Sequence, residues 1–356
     1  MAIERVEIKD FQVFKGEFTC DFCPGVNVLI GGNGTGKSTL MRVMCRLCDN
    51  KDTEYYFFEN NWLGRFGDYP FEYLRMETIS EGVVNRISVK SIRIDGKGDL
   101  GDRVIKDGRW VEVPMTDDYT ETETMIWGDC IQEIVYTQKG HKNTPSMFIP
   151  ENDLLSNARG LVETATYGNA QLLLPEVEVI AKSRVLPSVP EQPLYRKICD
   201  LIGGEPEHDG QSFFMKRQGI DKRIPFTMEA SGFRKFGLLA LLVRNEMIKP
   251  GTVLFWDEPE NSLNPLLMEK LVEILIELSR NKVQIFLATH SELLAKEIDI
   301  QRKESDEIKF LSLYEDDGKI KANSNKRFDL LEPNHLISVP VKQYDREIQK
   351  ELGGNE

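Results

Sequence analysis

The sequence predicts an α/β fold, a core sheet with helices on both faces that also carries an antiparallel β region and a mostly helical insertion. Three observations predict it. An apolar strand at residues 26–30 runs into a glycine-rich loop and then a helix, a second apolar strand ends in Asp257 and Glu258, and a third ends in His290. Strands that are apolar without alternation belong in a sheet covered on both faces. With 356 residues the chain can form two domains, or one large α/β domain with an insertion.

Composition removes several classes. Hydrophobic residues make up 40% and charged residues 29%, a globular balance. Against 58 Asp and Glu stand 45 Lys and Arg, a net charge of −13, so a chain coated in nucleic acid is not expected. No run approaches the roughly 18 apolar residues that a membrane helix needs. The opening residues alternate apolar and charged, without the apolar stretch of an export signal. A cytoplasmic protein with no membrane association is the expectation.

The first strand, Val26-Asn27-Val28-Leu29-Ile30, leads into Gly31-Gly32-Asn33-Gly34-Thr35-Gly36-Lys37-Ser38, and the helix opens with Thr39-Leu40-Met41. The loop fits G-x-x-x-x-G-K-[ST] without a mismatch. Its glycines let backbone N–H groups curl around phosphate oxygens, Lys37 brings a cation to the β- and γ-phosphates, and the Ser38 hydroxyl can ligate Mg²⁺. The helix start adds its partial positive charge. Gly31, Gly32, Asn33, Gly34, Thr35, Gly36, Lys37, Ser38 and Thr39 are therefore the expected nucleotide-binding residues of a P-loop NTPase. Lys37 is expected on an exposed loop that the fold needs little.

The second strand, Thr252–Trp256, delivers Asp257-Glu258-Pro259. An acid at the end of a buried strand is the usual partner of a phosphate loop: Asp257 would hold the Mg²⁺ shell and Glu258 would polarise an attacking water. Acid-acid-Pro also opens helices, and both roles can coexist. The third strand, Val283–Thr289, presents His290, one of only four histidines. A lone histidine at a strand end is more often structural; its order after Asp257-Glu258 favours a contact with the γ-phosphate or the attacking water.

These residues, in this order, resemble the ABC ATPase superfamily, and specifically its RecF/SMC/OLD-like branch. Residues 257–264, DEPENSLN, look like its Walker B and D-loop, with Asn264 where many cassettes have Asp. Met228-Glu229-Ala230-Ser231-Gly232-Phe233 stands in the place of the signature motif, Phe233 replacing its second Gly. His290 matches the switch histidine. Residues 148–161 are similar to a segment of predicted OLD-like ATPases of bacterial defence loci, and residues 3–14 look like the branch's first strand and adenine-side loop. Gln132, Gln138 and Gln171 are all candidates for the Q-loop. No TOPRIM domain is expected after His290, with 66 residues remaining (356 − 290).

The resemblance implies an ATPase that takes ATP and Mg²⁺, with Glu258, His290 and Lys37 catalytic and Ser38 and Asp257 on the metal. It also implies a homodimer or higher oligomer in which Ser231 and Gly232 close the partner's nucleotide site. A separate effector (a nuclease or toxin) or DNA would be the partner, in anti-phage defence. The alternatives are a RecF-like repair and recombination ATPase and a non-enzymatic ATP-dependent scaffold. A GTPase lacks its guanine-reading motif here, since Asn50-Lys51-Asp52-Thr53 and Asn281-Lys282-Val283-Gln284 both fail at the fourth position.

The expected organisation is a nucleotide-binding core of residues 1–50 and 226–356, an antiparallel β region at 51–150 with runs at 87–94 and 104–113, and a mostly helical insertion at 151–225 that ends in a basic hairpin. Aromatics from Tyr55 to Tyr73 read as packing, and the acids of 112–123 as a solvated loop. Residues 211–236 hold six bases against two acids, a solvated hairpin or a phosphate-binding strip. Cys20/Cys23 and Cys45/Cys48 form two C-x-x-C pairs, which read as small buried residues or as a zinc site.

Overall fold

The computed structural model describes residues 2–48, 73–80, 83–93, 121–127, 130–136, 144–167, 174–184 and 192–351. Its core is a six-stranded sheet. In chain order the strands are β3 (Val26–Gly31), β8 (Ser146–Ile149), β12 (Val253–Asp257), β13 (Gln284–Thr289), β14 (Ile308–Asp316) and β15 (Lys319–Asn325), arranged β15-β14-β3-β13-β12-β8. All neighbours pair in parallel except the β14–β15 hairpin. Every residue of β3, β12 and β13 is buried, which is why each reads as a mostly apolar run without alternation.

The two faces have different covers. Val26, Val28, Ile30, Leu254, Trp256, Ile285 and Leu287 face one core, under helices that include α5 (Ser231–Arg244), α6 (Pro265–Arg280) and α7 (Glu292–Gln301). Leu29, Val253, Phe255, Phe286 and Ala288 face the other, under α1 (Lys37–Cys48) and an antiparallel sheet. That second sheet runs β2-β1-β4-β5-β7-β6 and is built from β1 (Ala2–Phe11), β2 (Phe14–Asp21), β4 (Tyr73–Ser80), β5 (Val83–Arg93), β6 (Glu121–Trp127) and β7 (Cys130–Tyr136). Gln284 ties the sheets together: its amide exchanges bonds with Ile3 N (2.7 Å) and Ile3 O (2.8 Å), and also donates to Cys23 O (2.8 Å).

Sheet membership cuts across the boundaries expected from sequence. Strands β1 and β2, grouped with the core, hydrogen-bond to the antiparallel sheet, because a tight turn at residues 12–13 makes them a hairpin and β1 then pairs with β4. Strand β8, grouped with the β region, is an edge of the parallel sheet beside β12. The expected run at 104–113, the aromatics before Tyr73 and the acids of 112–120 lie outside the described residues.

Three helices follow β8 where helix was expected: α2 (Ala158–Tyr167), α3 (Leu174–Ser183) and α4 (Pro193–Ile202). Residues 205–225 then fold as a small sheet of β9 (Glu205–His208), β10 (Phe213–Lys216) and β11 (Ile224–Pro225). The basic residues here are mostly paired within the fold. Lys216 and Arg223 both reach Glu207, Arg217 bonds Glu229 at 2.6 Å, and Arg234 bonds Asp153 at 2.7 Å. Helix α8 (His335–Glu351) ends the described chain with no buried residue.

Cys20, Cys23, Cys45 and Cys48 are buried and in no disulfide. Cys23 Sγ donates to Val26 O and Glu307 O, and Cys45 Sγ meets Ser146 Oγ. Burial pushes the Cys20 thiol up to about 12, and Cys23 and Cys45 to about 11, so thiolates are disfavoured. Among the described residues no cluster of three or more His, Cys, Asp or Glu is placed to hold a metal.

Candidate functional site

The site lies at the C-terminal ends of β3, β12 and β13, the edge at which parallel α/β sheets present their ligand loops. The glycine-rich loop leaves β3 here. Gly34 and Gly36 have φ of 80° and 87°, left-handed conformations that side chains resist. At Gly31 the requirement is space: a Cβ would stand 2.4 Å from Leu313 O on the neighbouring strand and 2.7 Å from Thr35 Oγ1. Thr35 Oγ1 closes the loop on Gly32 O at 2.9 Å, and Thr39 Oγ1 bonds Gln12 at 3.3 Å, bringing the β1–β2 turn to the start of α1.

Lys37 is not the exposed side chain that the sequence led us to expect. It is only 6% accessible, and its ammonium donates to Gly31 O (2.9 Å) and Gly32 O (3.0 Å). Burial lowers its pKa, opposed by the carboxylates of Asp257, Glu258 and Glu260. The physical reason is topological: α1 starts inside the sheet edge, so its first side chain points back under its own loop.

Asp257 ends β12, where burial raises its carboxyl above the ordinary range. Acting against this are the influence of the Ser38 hydroxyl and the charges of Arg42 and Lys37. A carboxylate and a hydroxyl side by side beneath a phosphate loop are hard oxygen donors that suit Mg²⁺. Glu258 takes φ of 45°, uncommon for a side-chain-bearing residue. That conformation swings its carboxylate off the strand line toward His290, whose Nε2 lies 3.5 Å from Glu258 Oε1. Its own N–H bonds Ala288 O at 2.9 Å. Burial, and then the Lys37 charge, holds the His290 pKa below its ordinary value, which favours the neutral ring.

Ser231 and Gly232 open α5 beside residues 262–267. Ser231 Oγ donates to Ser262 O at 3.4 Å, and a Cβ on Gly232 would meet Leu267 Cδ1 at 2.9 Å and Leu263 Cδ2 at 3.0 Å. Phe233 is occupied locally, with the Arg217 guanidinium 5.8 Å from its ring centre. Asn264 is the N-cap of α6, accepting from Leu267 N at 2.9 Å; capping is a task that Asn and Asp perform equally. Of the Q-loop candidates, Gln132 falls in β7, and Gln138 and Gln171 lie outside the described residues.

Three residues not singled out in the sequence enter the site. Lys235, one turn along α5, donates to Glu258 O (3.0 Å) and Pro259 O (3.3 Å), and burial lowers it to about 8. Glu260 accepts from Thr289 Oγ1 and from His290 N. Glu151, after β8, bonds Asn261 at 2.7 Å, and the same amide bonds Glu258 Oε2 at 2.8 Å. Glu151 lies in the 148–161 segment, whose proximity to residue 258 is set by the pairing of β8 with β12; Glu260 sits in the 257–264 motif and Lys235 in the basic stretch 211–236, neither with a signal of its own for this site.

Comparison with known proteins adds the following. A family model described as "AAA domain, putative AbiEii toxin, Type IV TA system" matches residues 50–296. Over 41 residues, 12% of this chain, the sequence is 42% identical to a structural maintenance of chromosomes protein 3 homolog of Plasmodium falciparum (isolate 3D7); that stretch spans 3% of the relative's length. Among solved structures, the SMC head domain from Thermotoga maritima aligns at a TM-score of 0.50 with 13% identity, covering 91% of this chain and 99% of that one. An SMC head bound to the C-winged helix domain of ScpA aligns at 0.51 with 14% identity, covering 92% and 98%. At such identities the likeness is one of fold: a mostly parallel sheet flanked by helices, joined to an antiparallel sheet. No helix among the described residues is long and apolar enough to cross a membrane.

Proposed function

This chain belongs to that AAA domain family and has the fold of the SMC/RecF-like branch of ABC-type P-loop ATPases, and from this premise we propose that it binds Mg·ATP, hydrolyses it and dimerises around it. One observation carries the reading. The turn after β12 sets Glu258 3.5 Å from His290 and leaves Asp257 under the charges of Arg42 and Lys37, so the glycine-rich loop, the two strand-end acids and the histidine share one sheet edge.

The N–H groups of residues 31–38 and the Lys37 ammonium would bind the phosphates, which requires Lys37 to turn from the carbonyls of Gly31 and Gly32. Ser38 and Asp257 would hold Mg²⁺, which when bound supplies charge neutralisation for the phosphates. Glu258 would take the proton of the attacking water, and neutral His290 would donate toward the γ-phosphate. Ser231 and the Gly232 N–H, at the start of a helix, would cap the γ-phosphate of a second copy across a two-fold interface. Exposed apolar residues nearby support such a surface: Met228 is 78% accessible and Leu266 76%.

The cycle would then control a separate effector, a nuclease or toxin, in anti-phage defence; the toxin–antitoxin wording of the family description supports this reading. A RecF-like role on DNA draws less support, because most of the basic residues of 211–236 already pair with acids of the chain. The test uses Glu258→Gln, which should keep nucleotide binding, lose at least about 10²-fold in hydrolysis and accumulate a Mg·ATP dimer in light scattering. Adding Ser231→Arg should abolish that dimer. Wild-type turnover by Glu258→Gln refutes the base assignment, and a dimer indifferent to Ser231→Arg refutes the interface.

A further inference from the structure

We infer that Glu260 is a positioning residue for this site: its carboxylate clamps the Thr289–His290 turn and so sets His290 against Glu258. The inference deepens the ATPase reading and rests on it for its catalytic consequence.

Oε1 of Glu260 does two things at once. It accepts the hydroxyl of Thr289, the last residue of β13, and the backbone N–H of His290 at 3.1 Å. The Thr289 hydroxyl in turn accepts from Ser291 N at 2.9 Å, and Ser291 caps α7 through Leu294 N at 3.2 Å. A single carboxylate oxygen therefore holds the whole path from strand end to helix start, with His290 inside it. Thr289 is fully buried, so the clamp cannot be exchanged for water on that side.

The other end of the clamp is equally fixed. Glu260 sits two residues after Glu258 in the turn that Lys235 grips by the carbonyls of Glu258 and Pro259. The imidazole and the Glu258 carboxylate are brought to 3.5 Å by two backbone segments that Glu260 joins. Glu260 hydrogen-bonds to Thr289 and His290 and acts on Lys37 of the glycine-rich loop through its charge, which separates it from a group that touches the phosphates.

Its second oxygen, Oε2, is sealed from solvent and has no hydrogen-bond partner. Sealing a full carboxylate while using one of its oxygens is wasteful if only packing were needed, since an unpartnered charged oxygen carries a desolvation cost. Burial accordingly raises the Glu260 pKa above its ordinary value. What the geometry uses is the acceptor at Oε1, and that acceptor survives in an amide.

This makes Gln the informative variant. Glu260→Gln keeps the acceptor, whereas Glu260→Ala removes it. The chain has four histidines, so selective ¹⁵N-histidine labelling yields four backbone amide signals, and that of His290 is assigned by its loss in His290→Gln. In Glu260→Ala the His290 amide should exchange with solvent at least about tenfold faster, while in Glu260→Gln it should stay protected. In steady state, Glu260→Ala should lower kcat roughly 10- to 100-fold with KM for ATP within about threefold, and Glu260→Gln should remain within about threefold of wild type in both. An unchanged His290 amide in Glu260→Ala overturns the clamp. A protected amide in Glu260→Gln together with a kcat as low as that of Glu260→Ala also overturns it, because the charge and not the acceptor would then matter. If the wild-type protein does not hydrolyse ATP, the ATPase reading fails, and the amide measurement alone decides whether Glu260 positions His290.

Discussion

Replacing Lys37 by Met separates what this lysine does for the fold from what it does for a ligand. The side chain keeps its length and loses its charge. Two N–H···O bonds, at 2.9 and 3.0 Å to Gly31 O and Gly32 O, disappear at about 1 kcal/mol each. Against that loss stands the direction of the lysine's own pKa, lowered because burying the ammonium outweighs the attraction of Asp257, Glu258 and Glu260. Met is spared that desolvation, so the two effects oppose each other and the unfolding free energy should change by less than about 1.5 kcal/mol. The ligand effect is not offset. At a hundredfold excess over its Kd, a non-hydrolysable ATP analogue with Mg²⁺ should raise wild-type stability by about 2.7 kcal/mol, and Lys37→Met by less than about 0.5. Urea unfolding with and without the analogue measures both quantities. Equal stabilisation of the variant and the wild type would refute the phosphate-loop assignment. A loss above about 3 kcal/mol without ligand would refute the opposition between hydrogen bonding and desolvation.

Three further outcomes follow from the same geometry. Gly31→Ala should cost about 2–4 kcal/mol, since its Cβ meets the carbonyl of Leu313 in the β3–β14 ladder, whereas Gly34→Ala, with open space and only a left-handed φ of 80°, should cost about 1–2; urea midpoints in the reverse order would contradict the packing argument. Cys45 titrates near 9 unfolded and about 11 folded, so its contribution is complete below pH 9 and is lost as pH rises toward 11. Unfolding curves at pH 8.5 and 10.5 should show Cys45→Ala flatter than wild type by up to about 1.4 kcal/mol per pH unit, and parallel slopes would count against a buried thiol. Lys235→Met should lower kcat more than it raises KM for ATP, because it frees the carbonyls of Glu258 and Pro259 without touching residues 31–38; a change confined to KM would place Lys235 on the ligand instead.

How far the residues themselves reached is visible at β3, β12 and β13. Each is a mostly apolar run because both faces of its sheet are covered, and that pattern, with the glycine-rich loop and the acids at 257–258, is local and survives in one dimension. The fold class, the place of Lys37 and Ser38 at the start of α1 and that of Asp257, Glu258 and His290 at strand ends could be read there. Pairing could not, because registers are chosen by partners distant in sequence. Nothing local in residues 2–21 says that they join strand 73–80, nor in 146–149 that they edge β12, and only the second of these pairings brings Glu151 to Asn261. Charges were misleading for the same reason: the bases of 211–236 form a strip in sequence and ion pairs in space, since Glu207 and Asp153 arrive from other elements. The sequence by itself determined which chemistry is present, for a motif is a spacing along the backbone. The tertiary structure decided what each charge meets, from the burial of Lys37 under its own loop to the hold of Glu260 on His290, because desolvation and hydrogen bonding depend on neighbours that only folding supplies.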